Sequence, residues 1–378
     1  MKKALAAAGT VALITAGTVG CNPTEKLTAG MKVQKAFDRL KDEKAVSAAV
    51  GFGAKPEDLL KLMRKDDKDA TLAQAQLVTD LRISIAASAD KPLSEVTSEN
   101  LKDSKVSASF SIGKKDSDGL LEVRSIGEKT YLRADLKGVG TLVDSVSPDA
   151  GAKKDIDEML NGINSAELPS SLASVKAAIE GKWVEIDLKS FEEFAKSQGA
   201  DLGAEAGLPT SSLDAKTQKE FIDAVSKAIG DNAEAKDSGS EDGADVVTVT
   251  VPAQKTAKDL VKALKPLESK IPELKELNKA DPSKAPAKDI AIDVHVKKGQ
   301  VAKLSLDLSQ FDEKNSTGGV KLPLVIEIKS DADKVEAPAD ATKLQPQDIM
   351  GAVAFMMGGA GGAEGMDESG FDDSDLGA

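Results

Sequence analysis

Between residues 288 and 308 two runs alternate apolar and polar residues on either side of a turn. KDIAIDVHV (288–296) puts Ile290, Ile292, Val294 and Val296 on one side and Asp289, Asp293 and His295 on the other. After the turn KKGQ, VAKLSLDL (301–308) sets Leu304, Leu306 and Leu308 against Lys303, Ser305 and Asp307. Successive side chains of a strand point to opposite faces, so this is a hairpin that is dry on one side and wet on the other. A sheet built from such strands is antiparallel, and its apolar face has to be covered by another layer.

The same period recurs in AVSAAVGFGA (45–54), LRISIAASA (81–89), KVSASFSIG (105–113), LLEVRSI (120–126), TYLRADL (130–136), GKWVEIDL (181–188), ADVVTVTV (244–251) and VKLPLVIEIKS (320–330). Asp118-Gly119 supplies a tight turn between two of them. Pro323 predicts an edge or bulge position for the last. Helical spacing takes over at Val33, Phe37 and Leu40, in KPEDLLKLM (55–63), at Ile156, Met159, Leu160 and Ile163, and at Leu172, Val175 and Ile179. SFEEFAKS reads as a short helix with a serine cap. Asp214 reads as the cap of a helix carrying Phe221, Ile222, Val225 and Ile229. A further helical stretch over 255–278 is broken at Pro266 and Pro272. GDNAEAKDSGSEDG (230–243) is predicted to be a charged loop. Together these give an α+β fold, a curved antiparallel sheet whose apolar face is covered by amphipathic helices.

The N-terminus has a different logic. Met1-Lys2-Lys3 precedes an uncharged run from Ala4 to Gly20, which then meets Cys21, the single cysteine of the chain. A positive start, an apolar middle and small residues before a cut site describe an export signal. Thr18-Val19-Gly20-Cys21 resembles a bacterial lipobox, with Thr18 where leucine is usual. That resemblance implies cleavage between Gly20 and Cys21, diacylation of the Cys21 thiol, and attachment to the outer face of the cell membrane. Two acyl chains hold stably where one is marginal. With no second cysteine, the exported domain folds without disulfides. The expected organisation is a signal peptide over 1–20, a tether over 21–30, a single α+β domain with helical inserts over 31–344, and a Gly/Met-rich acidic tail over 345–378. Glu364, Asp367, Glu368, Asp372, Asp373 and Asp375 give that tail its charge, and a solvated, disordered segment is expected there.

A net charge of −13 argues against a phosphate-binding surface of the nucleic-acid kind and against polybasic adsorption to anionic lipid. With 40% hydrophobic but only 3% aromatic residues, the core is built from Val, Ile, Leu and Ala. No motif calls for a cofactor. His295 is the only histidine, stands on a polar strand face and is expected at the surface; without a second ligand it offers no metal site. GFG (51–53) and GVG (138–140) are too short for a phosphate loop, and no G-x-S-x-G elbow occurs. Trp183 and Tyr131 are expected to be packing residues.

The order of these parts resembles the LolA-like and LprG/LppX-like lipoproteins of actinobacterial envelopes. IGEKTYLRADL, GKWVEIDL, VVTVTVPAQKTAKDL, IDVHVKKGQVAKLSLDLSQ and VIEIKSDADKVEAPADATKL are similar, in sequence order, to segments of that family over about residues 30–344. The resemblance implies a half-barrel whose concave apolar face is lined by helices and can hold acyl chains. It names no individual ligand-binding residues. Two functions follow. One is a membrane-anchored, non-enzymatic binding protein or carrier for a lipid or other apolar ligand. The other is a tethered sensor or regulatory protein whose core is filled by its own side chains.

Overall fold

A computed structural model describes residues 24–96, 100, 103–115, 119–127, 129–147, 151–165, 172–197, 215–271, 274–275, 279, 281–312 and 317–351. Helix α1 (Thr24–Lys41) leads into β1 (Ala45–Phe52). Helices α2 (Pro56–Asp66) and α3 (Leu72–Asp80) follow, the second opened by a capping box between Thr71 and Gln74. A meander of β2 (Leu81–Ser88), β3 (Ser107–Lys114), β4 (Gly119–Ile126) and β5 (Lys129–Ala134) comes next. Then come α4 (Leu136–Val146), α5 (Ala152–Ser165), α6 (Ala173–Ile179), the short strand β6 (Val184–Ile186) and α7 (Leu188–Ser197). The second half runs α8 (Ala215–Gly230), β7 (Glu234–Glu241), β8 (Ala244–Pro252), α9 (Ala253–Leu264), β9 (Asp289–Lys297), β10 (Gln300–Asp307), β11 (Pro323–Lys329) and β12 (Thr342–Leu344).

All the strands join one open, curved sheet in the order β12-β6-β5-β4-β3-β2-β1-β11-β10-β9-β8-β7. Two meanders therefore meet where β1 pairs with β11, Ala48 opposite Ile328 and Val50 opposite Ile326. The fold is α+β, as the alternation requires. The sheet is mixed rather than wholly antiparallel, because β12 lies parallel to β6. The chain leaves β11 and crosses to the opposite edge before pairing. On the way Val335 N–H donates to Ser88 Oγ (3.1 Å) and Arg124 donates to the Glu336 carbonyl (3.0 Å). Ser88 and Ser107, on the polar face, are buried.

Several local expectations are corrected. The charged stretch 230–243 is not a loop: it holds β7, the edge strand, paired with β8 from Glu234 to Glu241. An edge strand has one rim and one face in water, so it tolerates charge, and the charge discourages pairing with another chain. Only Ala235, 1% exposed, marks its apolar side. β11 is a central strand despite Pro323, which stands at its first position, where a missing N–H does least harm. Helix α7 is capped by Asp187, whose carboxylate accepts from Lys189 N–H (3.0 Å) and Ser190 Oγ–H (3.1 Å), and not by a serine. Those bonds hold the Asp187 carboxyl below its ordinary value. Helix α1 begins at Thr24, so residues 24–30, expected as part of a tether, are helical and Ala29 is buried. At the other end residues 346–351 are helical, and Asp348 accepts from Ser174 Oγ–H at 2.6 Å, so the packed domain runs past 344. The expected caps at Asp214 and the break at Pro272 lie outside the described residues.

Three apolar clusters hold these elements. The main one lays Val33, Ala36, Phe37 and Leu40 of α1 on Val46, Ala48, Val247, Val294, Val296, Val301 and Ile328 of the sheet. At the β6 edge, Ala177 of α6 packs with Val184 and Leu344. Helices α8 and α9 form the third, through Val225, Leu264, Leu267, Ile271 and Leu274.

Candidate functional site

The register of the sheet lines up two apolar rows on the face that α1 packs against. The first runs from Val247 through Val294, Leu304, Ile326, Val50, Ile83 and Ile112 to Leu121. The second runs from Ile328 through Ala48, Ile85, Phe110, Val123 and Leu132 to Val184. Opposite residues in adjacent strands have touching side chains, so each row is a continuous ridge of hydrocarbon across the sheet. Neither carries a charged or hydroxyl side chain.

Burial along the rows is uneven. Under α1 they are closed, with Val247 at 0% and Val294 at 4% exposure. At the far end Val184 is again 0% exposed, beneath α6 and beside β12. Between these ends Leu304, Ile326, Val50, Ile85, Phe110, Ile112, Leu121, Val123 and Leu132 are only half-buried, and Ile83 is 43% exposed. In the first row the half-covered stretch spans six strands from β10 to β4, five spacings of roughly 4.8 Å, or about 24 Å; in the second it runs from β2 to β5, because Ile328 and Ala48 are buried. Isolated exposed apolar residues need no explanation, but a continuous half-covered strip, bounded by buried Val247 and Val294 on one side and by buried Val184 on the other, has the form of a trough. Covering it releases roughly 25 cal/mol for each Å² of apolar surface removed from water.

The opposite face is polar, but it is not the wet surface the alternation predicts. His295 is 4% exposed, which corrects its expected surface position. Its cross-strand neighbours are Val246 and Lys303, and Glu241 of the edge strand brings a carboxylate oxygen to 3.5 Å from both His295 Nδ1 and Lys303 Nζ. Beside it Thr248 Oγ–H donates to Asp293 at 2.7 Å. Burial first, and the Lys303 charge second, hold the imidazole below its usual 6.5 against the opposing pull of Glu241 and Asp293. The unfolded chain then binds the proton more readily. Stability is expected to fall as pH drops through about 6.5 toward the folded-state value, with the contribution complete above 6.5. Chemical denaturation at stepped pH should show that slope, and His295→Gln should flatten it; an unchanged slope in the variant would assign it to other groups.

Near the β6 edge Trp183 lies under two guanidinium groups, Arg124 at 4.6 Å and Arg133 at 5.3 Å from its ring centre. Glu122 pairs with both, at 2.8 and 3.2 Å. Tyr131 is buried, and that burial, with Glu185 beside it, raises its hydroxyl pKa. Both aromatics therefore pack against the sheet. The Trp183 stack escaped the sequence reading because Arg124 and Arg133 belong to different strands whose register only the pairing of β4 with β5 reveals.

Among the described residues no group of three His, Cys, Asp or Glu could hold a metal ion, and no helix is long and apolar enough to cross a membrane. Cys21 and Gly20, the expected acylation and cleavage positions, and the acidic tail from 352 onward lie outside the described residues.

No family model matches the chain, and no curated protein matches it. Among solved structures, the chain is similar to the crystal structure of the Mycobacterium tuberculosis lipoprotein LppX, at 13% identity and a TM-score of 0.28, over 81% of this chain and 97% of that one.

Proposed function

We propose that this protein is a lipid-anchored, extracytoplasmic binding protein that shelters an acyl chain or similar apolar ligand in the trough and performs no covalent chemistry. The observation that supports it is the half-open apolar strip, from β10 to β4 in the first row and from β2 to β5 in the second, with Ile83 at its most exposed point. A hydrocarbon chain laid there gains about 0.8 kcal/mol for each CH₂ it removes from water, and meets no group that demands a hydrogen bond. The anchor in this reading is the diacylated thiol of Cys21. It stands three residues before helix α1, so the trough is held close to the outer face of the membrane.

Both parts can be tested. Cells fed labelled palmitate should incorporate it into the wild-type chain, and Cys21→Ser should lose the label and leave the membrane fraction. An unlabelled wild-type product, or unchanged fractionation of Cys21→Ser, would remove the anchor from the account. The chain without residues 1–21 keeps every described residue, and a fluorescent fatty acid should bind it saturably. Partition of the probe that grows linearly with its concentration would contradict a defined site.

A further inference from the structure

The chain is acidic overall, yet residues 253–288 hold nine lysines against five acids. Four of them, Lys255, Lys258, Lys262 and Lys265, follow the 3-4-3 spacing that puts residues on one side of a helix, along α9 and its 3₁₀ extension. All four are exposed. The opposite side of the same helix is spent on packing, with Leu264 at 1% and Leu267 at 6% exposure against α8. The ridge is about 15 Å long at 1.5 Å per residue.

Among the described residues none of the four lysines makes an ion pair, whereas Lys270, just beyond, is paired with Glu220 at 2.6 Å. Asp259 is the acid on α9 itself, and it is turned to the flank, where it accepts from Asn232 Nδ2–H at 2.9 Å. Asp281, on the neighbouring turn, is occupied in capping Ser283. A protein of net charge −13 thus presents, among the described residues, a basic helix side whose four lysines make no ion pair.

We propose that this ridge is an electrostatic docking surface for an anionic lipid bilayer. The ridge contains lysine and no arginine. Lysine is a mobile point charge on a flexible stem, suited to a fluid array of headgroups, whereas a fixed set of carboxylates or phosphates favours the forked arginine side chain. It holds no aromatic residue on which a base could stack, so single-stranded nucleic acid is a poorer fit. Because the chain as a whole carries a net charge of −13, the ridge would also set the orientation of the molecule at the membrane. Net charge alone pointed away from anionic lipid, because it averages over a surface on which the charges are segregated. The proposal stands independently of the trough and its ligand.

The test uses the chain without residues 1–21, so that neither the acyl anchor nor the apolar leader contributes. Sedimentation with phosphatidylcholine vesicles, and with vesicles of phosphatidylcholine and phosphatidylserine at roughly 2:1, should show binding only to the second. Binding should be strong at about 0.05 M salt and lost by about 0.5 M, as the screening length shortens. The quadruple variant Lys255→Gln, Lys258→Gln, Lys262→Gln, Lys265→Gln should bind at least about tenfold more weakly. Because all four side chains are exposed, its melting curve should be unchanged, which separates lost charge from lost fold. Equal binding by wild type and variant, or binding by neither, overturns the proposal. Cross-links from the ridge lysines to carboxylates of residues 364–375 would then identify the chain's own acidic tail as the occupant.

Discussion

Leu40→Ala should lower the unfolding free energy by about 2–5 kcal/mol, the range for truncating a buried leucine in a packed core. Leu40 is 2% exposed and sits in the last turns of α1, where that helix lies on the sheet. Val296 and Val301 of the same cluster come from the β9–β10 hairpin, more than 250 positions further along the chain, so the resulting cavity cannot close by a local shift of α1. The consequence extends beyond stability. α1 closes one end of the two apolar rows, and a loosened α1 should let water reach Val247 and Val294. Denaturant titration measures the first effect, and hydrogen exchange at β8 and β9 the second. A loss below about 0.5 kcal/mol would mean that α1 is not the cover it is described to be.

The second large effect concerns the open middle. Ile83→Asp places a carboxylate at the most exposed point of the first row. Because Ile83 is 43% exposed, the empty protein should tolerate the change, with stability altered by less than about 1 kcal/mol. An acyl chain lying over that position would have to bury the charge without a partner, at a cost of several kcal/mol. Affinity for a fluorescent fatty acid should therefore fall by at least about a hundredfold, since each 1.4 kcal/mol is a factor of ten. Ile83→Val, which keeps the surface apolar, should bind nearly as the wild type does. If the aspartate variant retained full affinity, the ligand would have to lie elsewhere. The contrast with Leu40→Ala is useful, because one substitution acts on the fold and the other on the site.

Much of this architecture can be read from the chain before folding. Strict alternation at 288–308 gives both the hairpin of β9 with β10 and the side on which Val294 and Leu304 lie, since a strand has only two faces. The spacing of Val33, Phe37 and Leu40 likewise marks the face of α1 that is buried. Other features are invisible in one dimension. β7 carries Lys236, Asp237, Ser238 and Ser240, and nothing in such a run distinguishes a loop from an edge strand; the ladder with β8 decides it. His295 alternates correctly onto the polar face, but its burial depends on Glu241 and Lys303, which the chain brings from 54 positions upstream and 8 downstream. Pro323 suggests an edge because periodicity cannot say that its strand begins there, between β1 and β10.

The trough itself lies between these two cases. Each half of every row is legible as an apolar strand face. That β1 joins β11, and so merges two meanders into one strip, depends on pairing across 272 positions and more. Whether the strip is covered depends on where the helices end, and hydrophobic periodicity carries no information about that. The lysine ridge is the reverse case. Its spacing is plain in the sequence, but its meaning emerges only from the burial of the other side of α9 against α8 and from the lack, among the described residues, of an ion pair to any of its four lysines.

The most direct measurement is a weighing. The chain lacking residues 1–21, purified without detergent from a host with ordinary membranes, should be extracted with organic solvent and analysed by lipid mass spectrometry. The account predicts acyl lipid near one molecule per chain in the wild type and little in Ile83→Asp. A wild-type protein that releases no lipid, and whose melting temperature does not change after extraction and refolding, would contradict it.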